Sequence, residues 1–447
     1  MTPDDTTPGA MTSDAATSDD RVLLVIGSGL KVYREYLIES AARRAAELDL
    51  KLVLVNNLKP NWQQEYFDEI TVVNVFDHEE LRAAAREIAA RRTVIGIFCY
   101  DEPLVMPAAE LAAEFGLPGL GPDGVQGCRD KHRTRSVLTA AGLPQPGFEM
   151  TDTLEQARAV AARIGYPVVV KPRALGASMG VVLAEDESQL DEAYLIASNA
   201  SLVGDEPFRG GAIVEGYARG PEISIDGVVH RGEYRPMFVA RKETGHHPYF
   251  EEVGHVVDAA DPLLHDQELT DILTKAHEVL GVENGMTHTE VKLTSYGPVI
   301  IEINGRLGGD LIPFLGRIAT GIDPGELLVE VAAGLRPDTA FTRHGVAGIR
   351  FGYPAEDVTV REVRVPAGLP GLVTAAPMVE PGTELRLPPG GYLARHSFVV
   401  CTGEDQESCQ ERLAAAVTAV ALDAEPLERK DVTARLEMPA GLLDVDT

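Results

Sequence analysis

The chain has 447 residues, 45% of them hydrophobic and 24% charged, so it can bury a sizeable core, is not disordered throughout, and has room for roughly two to four domains. Its 69 acidic and 40 basic residues leave a formal charge of −29. That disfavours bare nucleic acid or an anionic membrane surface as a partner and still allows a local basic pocket. No apolar run reaches the ~18 residues of a membrane-spanning helix. Cys99, Cys128, Cys401 and Cys409 form neither a C-x-x-C pair nor a disulfide framework, so a reducing, cytoplasmic setting is expected.

Residues 1–20 are rich in Thr, Ser, Asp and Pro, hold no Lys or Arg, and lack the basic start and apolar centre of a signal peptide. They are expected to be a solvated, disordered acidic tail. Order begins at Arg21-Val-Leu-Leu-Val-Ile-Gly27, a short apolar run of the kind that forms a buried parallel strand. A helix over 33–48, strands at 51–55, 71–75 and 94–98, and a helix over 81–92 follow. The alternation predicts a Rossmann-like parallel sheet over residues 21–130. Gly27-Ser28-Gly29 is not a dinucleotide fingerprint, because Val32 stands where the third glycine belongs; it reads as a tight strand-to-helix turn. Residues 116–130, dense in Gly and Pro, read as a linker.

Next come a helix over 153–165 that stops at Gly165, and strands at 168–171, 180–183, 212–215 and 222–229. A helix over 263–280 ends on Gly281, and 287–293 and 299–304 form a hairpin around Ser295-Tyr-Gly-Pro. Beyond residue 335, Pro and Gly clusters punctuate short strands, and 408–422 is helical. The expected class is α/β, α+β overall: a central domain over 131–335 with a small lid at about 131–215, then a mixed C-terminal domain over 336–447.

Three patterns carry chemistry. In Val168-Val-Val-Lys171-Pro-Arg-Ala-Leu-Gly176-Ala177-Ser178-Met179-Gly180 a strand ends in lysine, and a small-residue loop can bring backbone amides close to phosphate oxygens. It is not a P-loop, because G-x-x-x-x-G-K-[ST] is absent. In the hairpin, residues two apart share a face, so His288, Glu290 and Lys292 lie on one face, as do Glu302 and Asn304. A three-residue loop of Ser295, Tyr296 and Gly297 would set Glu290 opposite Glu302, with Ile301 and Ile303 on the other face. Facing carboxylates in an apolar sheet repel unless neutralised, and a hard divalent cation suits carboxylate, amide and phosphate oxygens. Arg306-Leu-Gly308-Gly309 follows at once, an arginine and backbone amides suited to an anion such as a transferred phosphoryl group. In Glu215-Gly216-Tyr217-Ala218-Arg-Gly-Pro-Glu222, one strand ends and the next begins in a carboxylate able to accept from ribose hydroxyls.

In order and spacing these patterns resemble the ATP-grasp carboxylate–amine ligases, most of all the L-amino-acid ligases or dipeptide synthetases. The likeness rests on Thr287-His-Thr-Glu-Val-Lys292 and Glu302-Ile-Asn-Gly-Arg-Leu-Gly-Gly309, and covers roughly residues 21–335. The resemblance implies ATP as co-substrate and two Mg²⁺ ions, replaceable by Mn²⁺, on Glu290, Glu302 and Asn304. It implies that Lys131 and Lys171 contact ATP phosphates and that Ala174–Gly180, with Gly176, Ala177, Ser178 and Met179, closes over them. Glu215–Ala218 would form the adenine hinge, and Glu222 would hold the ribose. Arg306 would stabilise the acyl phosphate and the tetrahedral intermediate, with Lys171 and Ser178 assisting, and the amides of Gly308 and Gly309 would meet substrate beside His288. The segment Gly245-His246-His247-Pro-Tyr249-Phe-Glu-Glu252-Val-Gly-His255 lacks zinc spacing. In this family a loop here lines the acceptor pocket, so Glu252 would bind an amino group and His255 would orient a carboxylate. Asp310, if it faces the pocket, would favour a cationic group. Gly390–Phe398 with His396 resembles the closing sheet of many such cores.

The expected function is ATP-dependent amide formation between a small carboxylate and an amine. The alternatives are another ATP-grasp reaction, of carboxylase or purine-pathway type, and a non-catalytic nucleotide-binding protein. Expected partners are small molecules, with no nucleic acid or membrane. Many ligases of this type are homodimers, and the sequence leaves the assembly open.

Overall fold

The computed structural model describes residues 20–203 and 208–428; the expected tail lies outside them but for Asp20. The chain opens with β1 (Arg21–Ile26), α1 (Lys31–Glu47), β2 (Lys51–Asn56), β3 (Glu69–Val72), α2 (His78–Ala89) and β4 (Thr93–Phe98). The strands form a parallel sheet in the order β3-β2-β1-β4. β1 and β2 are buried along almost their whole length, as apolar strands covered on both faces must be. β3 starts at Glu69 and ends at Val72, short of the expected residue 75, where a turn closes from Asn74 to Asp77. The Asp77 carboxylate then accepts from the amides of Glu79 and Glu80 and starts α2 earlier than 81.

α3 (Val105–Glu114), α4 (Pro122–Arg129) and α5 (Lys131–Ala140) follow. The expected linker at 116–130 is therefore corrected: most of it is α4, with Pro122 in its first turn. Its glycines serve close packing: a Cβ on Gly124 would lie 2.9 Å from the Gly281 carbonyl, and one on Gly127 3.1 Å from Leu280.

β5 (Phe148–Thr151), α6 (Leu154–Ile164), β6 (Val168–Lys171), β7 (Val182–Ala184), α7 (Glu187–Ala200) and β8 (Ala212–Gly216) make an antiparallel sheet, β5-β8-β6-β7, backed by the two helices. Thr153 and Gln156 cap α6 reciprocally, and Gly165 ends it.

The rest comprises β9 (Glu222–His230), β10 (Glu233–Gly245), β11 (Glu251–Asp258), α8 (Gln267–Leu280), β12 (Gly285–Thr294), β13 (Gly297–Asn304), α9 (Ile312–Thr320), α10 (Pro324–Ala332), β14 (Val346–Gly352), β15 (Val358–Arg364), β16 (Leu372–Pro377), β17 (Glu384–Leu385), β18 (Ser397–Gly403), α11 (Gln406–Thr418) and β19 (Ala421–Pro426). The helix expected from 263 begins only at Gln267, because Asp266 caps it after a short 3₁₀ turn. An eight-stranded sheet runs β13-β12-β9-β10-β11-β14-β18-β16. Residue 335 is thus no sheet boundary: three strands beyond it extend the sheet begun at β9. β17-β15-β19 form a small third antiparallel sheet. α10 packs back on α1 and β4; a Cβ on Gly96 would meet the Ala332 carbonyl at 2.2 Å. No described helix is long and apolar enough to cross a membrane.

Candidate active site

A cleft of ≈ 1380 Å³ runs between the four-stranded sheet, the large sheet, the β1–α1 turn and the loop 378–395. Single-ligand sites span ~300–1,000 Å³, so there is room for more than one molecule. Lys131, Lys171, 174–179, Glu215–Ala218, Glu222, Glu252, His288, Glu290, Glu302, Asn304, Arg306, Gly309 and Asp310 all line it.

On one wall β6 delivers Lys171 and β8 delivers Glu215. Lys171 Nζ lies 2.6 Å from Glu215 Oε1, and the Arg135 guanidinium binds Oε2 at 3.0 and 3.1 Å. Burial would raise the Glu215 carboxyl, but Arg135 and Lys171 hold it below its usual value. Burial in turn keeps the Lys171 ammonium below its ordinary value, against the pull of Glu215. The Glu215 carboxylate is thus occupied inside the protein, and the amides of Gly216 and Tyr217 are likewise bonded, to the carbonyls of Gly147 and Pro167. Arg135 was missed in the sequence, although its place one helical turn after Lys131 was a signal. Lys131 Nζ donates to the Leu175 carbonyl at 2.7 Å and to Glu302 Oε1 at 3.1 Å, tying the small-residue loop to the hairpin. In that loop Ala177 and Ser178 both have φ +55, a left-handed conformation that non-glycine residues rarely adopt. Gly180 is obligatory: at φ +73, a Cβ there would lie 2.4 Å from Ala200.

On the large sheet, Glu290 pairs with Glu302 in register, as expected, but by another route. Thr294 pairs with Gly297, so the loop has two residues, and a bulge at Ile301 restores the register. The bulge turns Ile301 into the cleft while Ile303 stays in the core, correcting the expectation that both lie on the far face. Lys242 on β10, another residue the sequence did not reveal, donates to Glu290 at 2.8 Å and to Glu222 at 3.0 Å, and also binds Glu252. Its signal is long-range: only the pairing of β10 with β9 and β11, and of β9 with β12, brings it to three acids. Lys292 binds Glu222 from the other side at 2.9 Å. Burial would raise Glu290, but Lys242 and His288 hold it well below the usual range.

Arg306 lies in the cleft with its Nε on Glu102 and Nη1 donating to the Leu307 carbonyl at 2.7 Å. Its Nη2 stands 3.9 Å from where a Gly176 Cβ would be, so it faces the small-residue loop. The amide of Gly308 is not free for substrate: it donates to Asp226 Oδ2 at 3.2 Å. Asp226 Oδ1 also holds His288 Nδ1 at 2.5 Å. Burial depresses the imidazole, but Asp226 and Glu290 outweigh it and raise the group to about 9.

His255, expected to orient a substrate carboxylate, is 1% exposed and lies behind the cleft lining rather than in it. It pairs with Lys242 across β10 and β11 and lies beneath acids of the cleft wall, with Nε2 3.1 Å from Asp310 and 3.4 Å from Glu252. Asp310 does face the cleft, but Arg395 binds both of its oxygens, at 2.5 and 2.7 Å, so it is no free acid for a cationic group. Arg395, stacked 3.8 Å over Phe351, arrives from 390–396, which is a loop lining the cleft rather than the expected sheet, since β18 begins only at Ser397.

Glu290, Glu302 and Asn304 offer two carboxylates and an amide oxygen on one wall, a hard-oxygen set that fits Mg²⁺. The ammonium groups of Lys242 and Lys131 stand beside these same carboxylates, which marks the place as one that needs positive charge.

A family model described as an ATP-grasp domain matches residues 164–313. An uncharacterized protein of Sinorhizobium fredii is 28% identical over 340 residues, covering 73% of this chain and 68% of that protein. Alanine–anticapsin ligase of Bacillus subtilis is 32% identical over 257 residues, covering 52% of each chain, so the match spans about half of that ligase. Among solved structures, an L-amino acid ligase from Bacillus licheniformis aligns with a TM-score of 0.72 at 22% identity, covering 90% of this chain and 98% of that one. Phosphoribosylglycinamide synthetase from Anaerococcus prevotii aligns at 0.66 with 17% identity, covering 91% and 100%. Residues 164–313 thus match an ATP-grasp domain, and the fold is the ATP-grasp fold.

Proposed function

We propose that this ATP-grasp protein is a carboxylate–amine ligase: it uses ATP to join an amino acid or related small carboxylate to an amino acid or amine, releasing ADP and phosphate. The observation that carries the reading is the meeting in one cleft of Lys171, the 174–180 loop, the Glu290–Glu302–Asn304 set and an arginine held by Glu102. The names of the ligase relatives support it.

A carboxylate oxygen attacks the γ-phosphorus of ATP; the bond to the β-bridging oxygen breaks, and an acyl phosphate and ADP result. The amine then attacks the acyl carbon, the C–O bond to phosphate breaks, and the amide forms as the nitrogen loses a proton. Lys131 and Lys171 hold phosphate oxygens. Arg306, fixed by Glu102, faces the negative charge that grows on the transferred group and on the tetrahedral carbon. The Ala174–Gly180 loop covers the reacting atoms and keeps water from the acyl phosphate. Mg²⁺ on Glu290, Glu302 and Asn304 would supply charge neutralisation to the phosphates.

The test is phosphate release from MgATP across all pairs of the twenty amino acids and a panel of small carboxylic acids, with products weighed by mass spectrometry. A pair-dependent product lighter than its two parts by one water is the expected result. ATP binding without turnover anywhere in the panel refutes the ligase reading, and bicarbonate-dependent turnover replaces it with a carboxylase-type reaction.

A further inference from the structure

Between β17 and β18 the chain has neither helix nor strand, yet Tyr392, Ala394 and Arg395 are 3% exposed or less. Irregular backbone normally runs over the surface. Here it is held inside from two sides. The Leu393 amide lies 3.3 Å from each oxygen of Glu251, at the start of β11, and Arg395 binds both oxygens of Asp310. Leu393 stands at φ +55, a left-handed conformation that a non-glycine residue keeps only where its surroundings impose it. The segment is therefore a fixed point in the cleft wall.

Tyr392 is the residue that this segment turns toward the small-residue loop. It lines the cleft together with Ala177, Ser178, Met179 and Val181. Its buried hydroxyl has no hydrogen-bond partner among the described residues. Burial raises the phenol, and the Gly180 amide acts against that rise; the amide thus faces the oxygen without closing a hydrogen bond to it. An unpaired buried hydroxyl is costly, and in a folded protein it calls for a reason. The loop offers one. Gly180 ends it, and Ala177 and Ser178 within it are both left-handed, a strain that a second loop conformation would relieve.

We propose that Tyr392 is a positioning residue for the phosphate-covering loop. When nucleotide enters and Ala174–Gly180 settles over its phosphates, the Tyr392 oxygen accepts the Gly180 amide. The loop is then fastened to the segment that also holds Asp310, four residues beyond Arg306. The inference deepens the ligase reading above and rests on it, because the fastened loop is what keeps water from the acyl phosphate.

Tyr392→Phe deletes only the hydroxyl. Without nucleotide its Tm should equal or exceed that of wild type, because the lost oxygen had no partner. Its affinity for the magnesium complex of β,γ-imido-ATP, read by calorimetry, should fall about 3- to 10-fold, the worth of one hydrogen bond. With the amino-acid pair found in the screen, wild type should release one phosphate per amide formed. The variant should release more, because water that reaches the acyl phosphate returns free carboxylate and phosphate. An unchanged affinity for the analogue, whatever the Tm, marks a merely structural residue and overturns the proposal. So does a nucleotide-free variant less stable than wild type, which would mean that the hydroxyl is already bonded, and so does an unchanged ratio of phosphate to amide. If wild type makes no condensed product, the ligase reading fails by itself, and the analogue affinity and the nucleotide-free Tm decide the role of Tyr392.

Discussion

Replacing Glu215 by Gln keeps the side-chain shape and removes the one negative charge between Lys171 and Arg135. All three are 3% exposed or less, and the two cations reach the carboxylate at 2.6, 3.0 and 3.1 Å. With two positive charges and one negative, the triad carries a single net positive charge beside the loop that would take phosphate. Removing one partner of a buried ion pair costs about 3–5 kcal/mol. Burial already depresses the Lys171 ammonium, so it can shed its proton, whereas Arg135 cannot. A loss near ~3 kcal/mol, the low end of that range, is therefore expected. Urea unfolding followed by circular dichroism reads it, and nucleotide titration reads the other half. ATP affinity should be kept or improved, because phosphate oxygens supply the missing negative charge. A variant of near wild-type stability that no longer binds ATP would refute this reasoning and make Glu215 a direct nucleotide ligand.

Arg306→Lys should lower kcat by about 10²–10³ with little change in ATP binding, and Glu102→Gln, which frees the arginine, should lower kcat by a smaller factor. Steady-state kinetics checks both, and an unchanged kcat for Arg306→Lys removes it from the mechanism. In Gly308→Ala the new Cβ would lie 2.7 Å from His288 Nδ1, so the His288–Asp226 bond should break, at about 1–3 kcal/mol; an unaltered Tm would sink this. Burial drives His277 down to about 4, against a weaker opposing pull from its bond to the Leu273 carbonyl. The folded imidazole is therefore neutral while the unfolded one takes a proton below about 6.5. Its contribution is full above about pH 6.5 and is lost as pH falls through 4, at up to about 1.4 kcal/mol per pH unit. Between pH 6.5 and 5, His277→Leu should show a shallower fall in stability than wild type, and equal slopes would refute the assignment.

Local pattern was enough for much of this molecule. The all-apolar runs of β1 and β2, the Thr153 and Gly165 ends of α6, and the Glu290–Glu302 face follow from periodicity and capping, which act within a few residues. So does the lysine-and-glycine loop. The Gly- and Pro-rich stretch before residue 130 misled for the converse reason: its glycines answer to α8, which is distant in the chain. What only tertiary structure decided is which charges neutralise which. Lys242 on β10 meets three carboxylates because β9, β11 and β12 come into register around it. Arg395 reaches Asp310 across 85 residues, and the Gly308 amide goes to Asp226 across 82. Spacing in the sequence tells which side chains share a face. It does not tell what arrives on that face from elsewhere, and in a low-dielectric cleft the arriving charge determines whether a carboxylate is a free ligand or already bound.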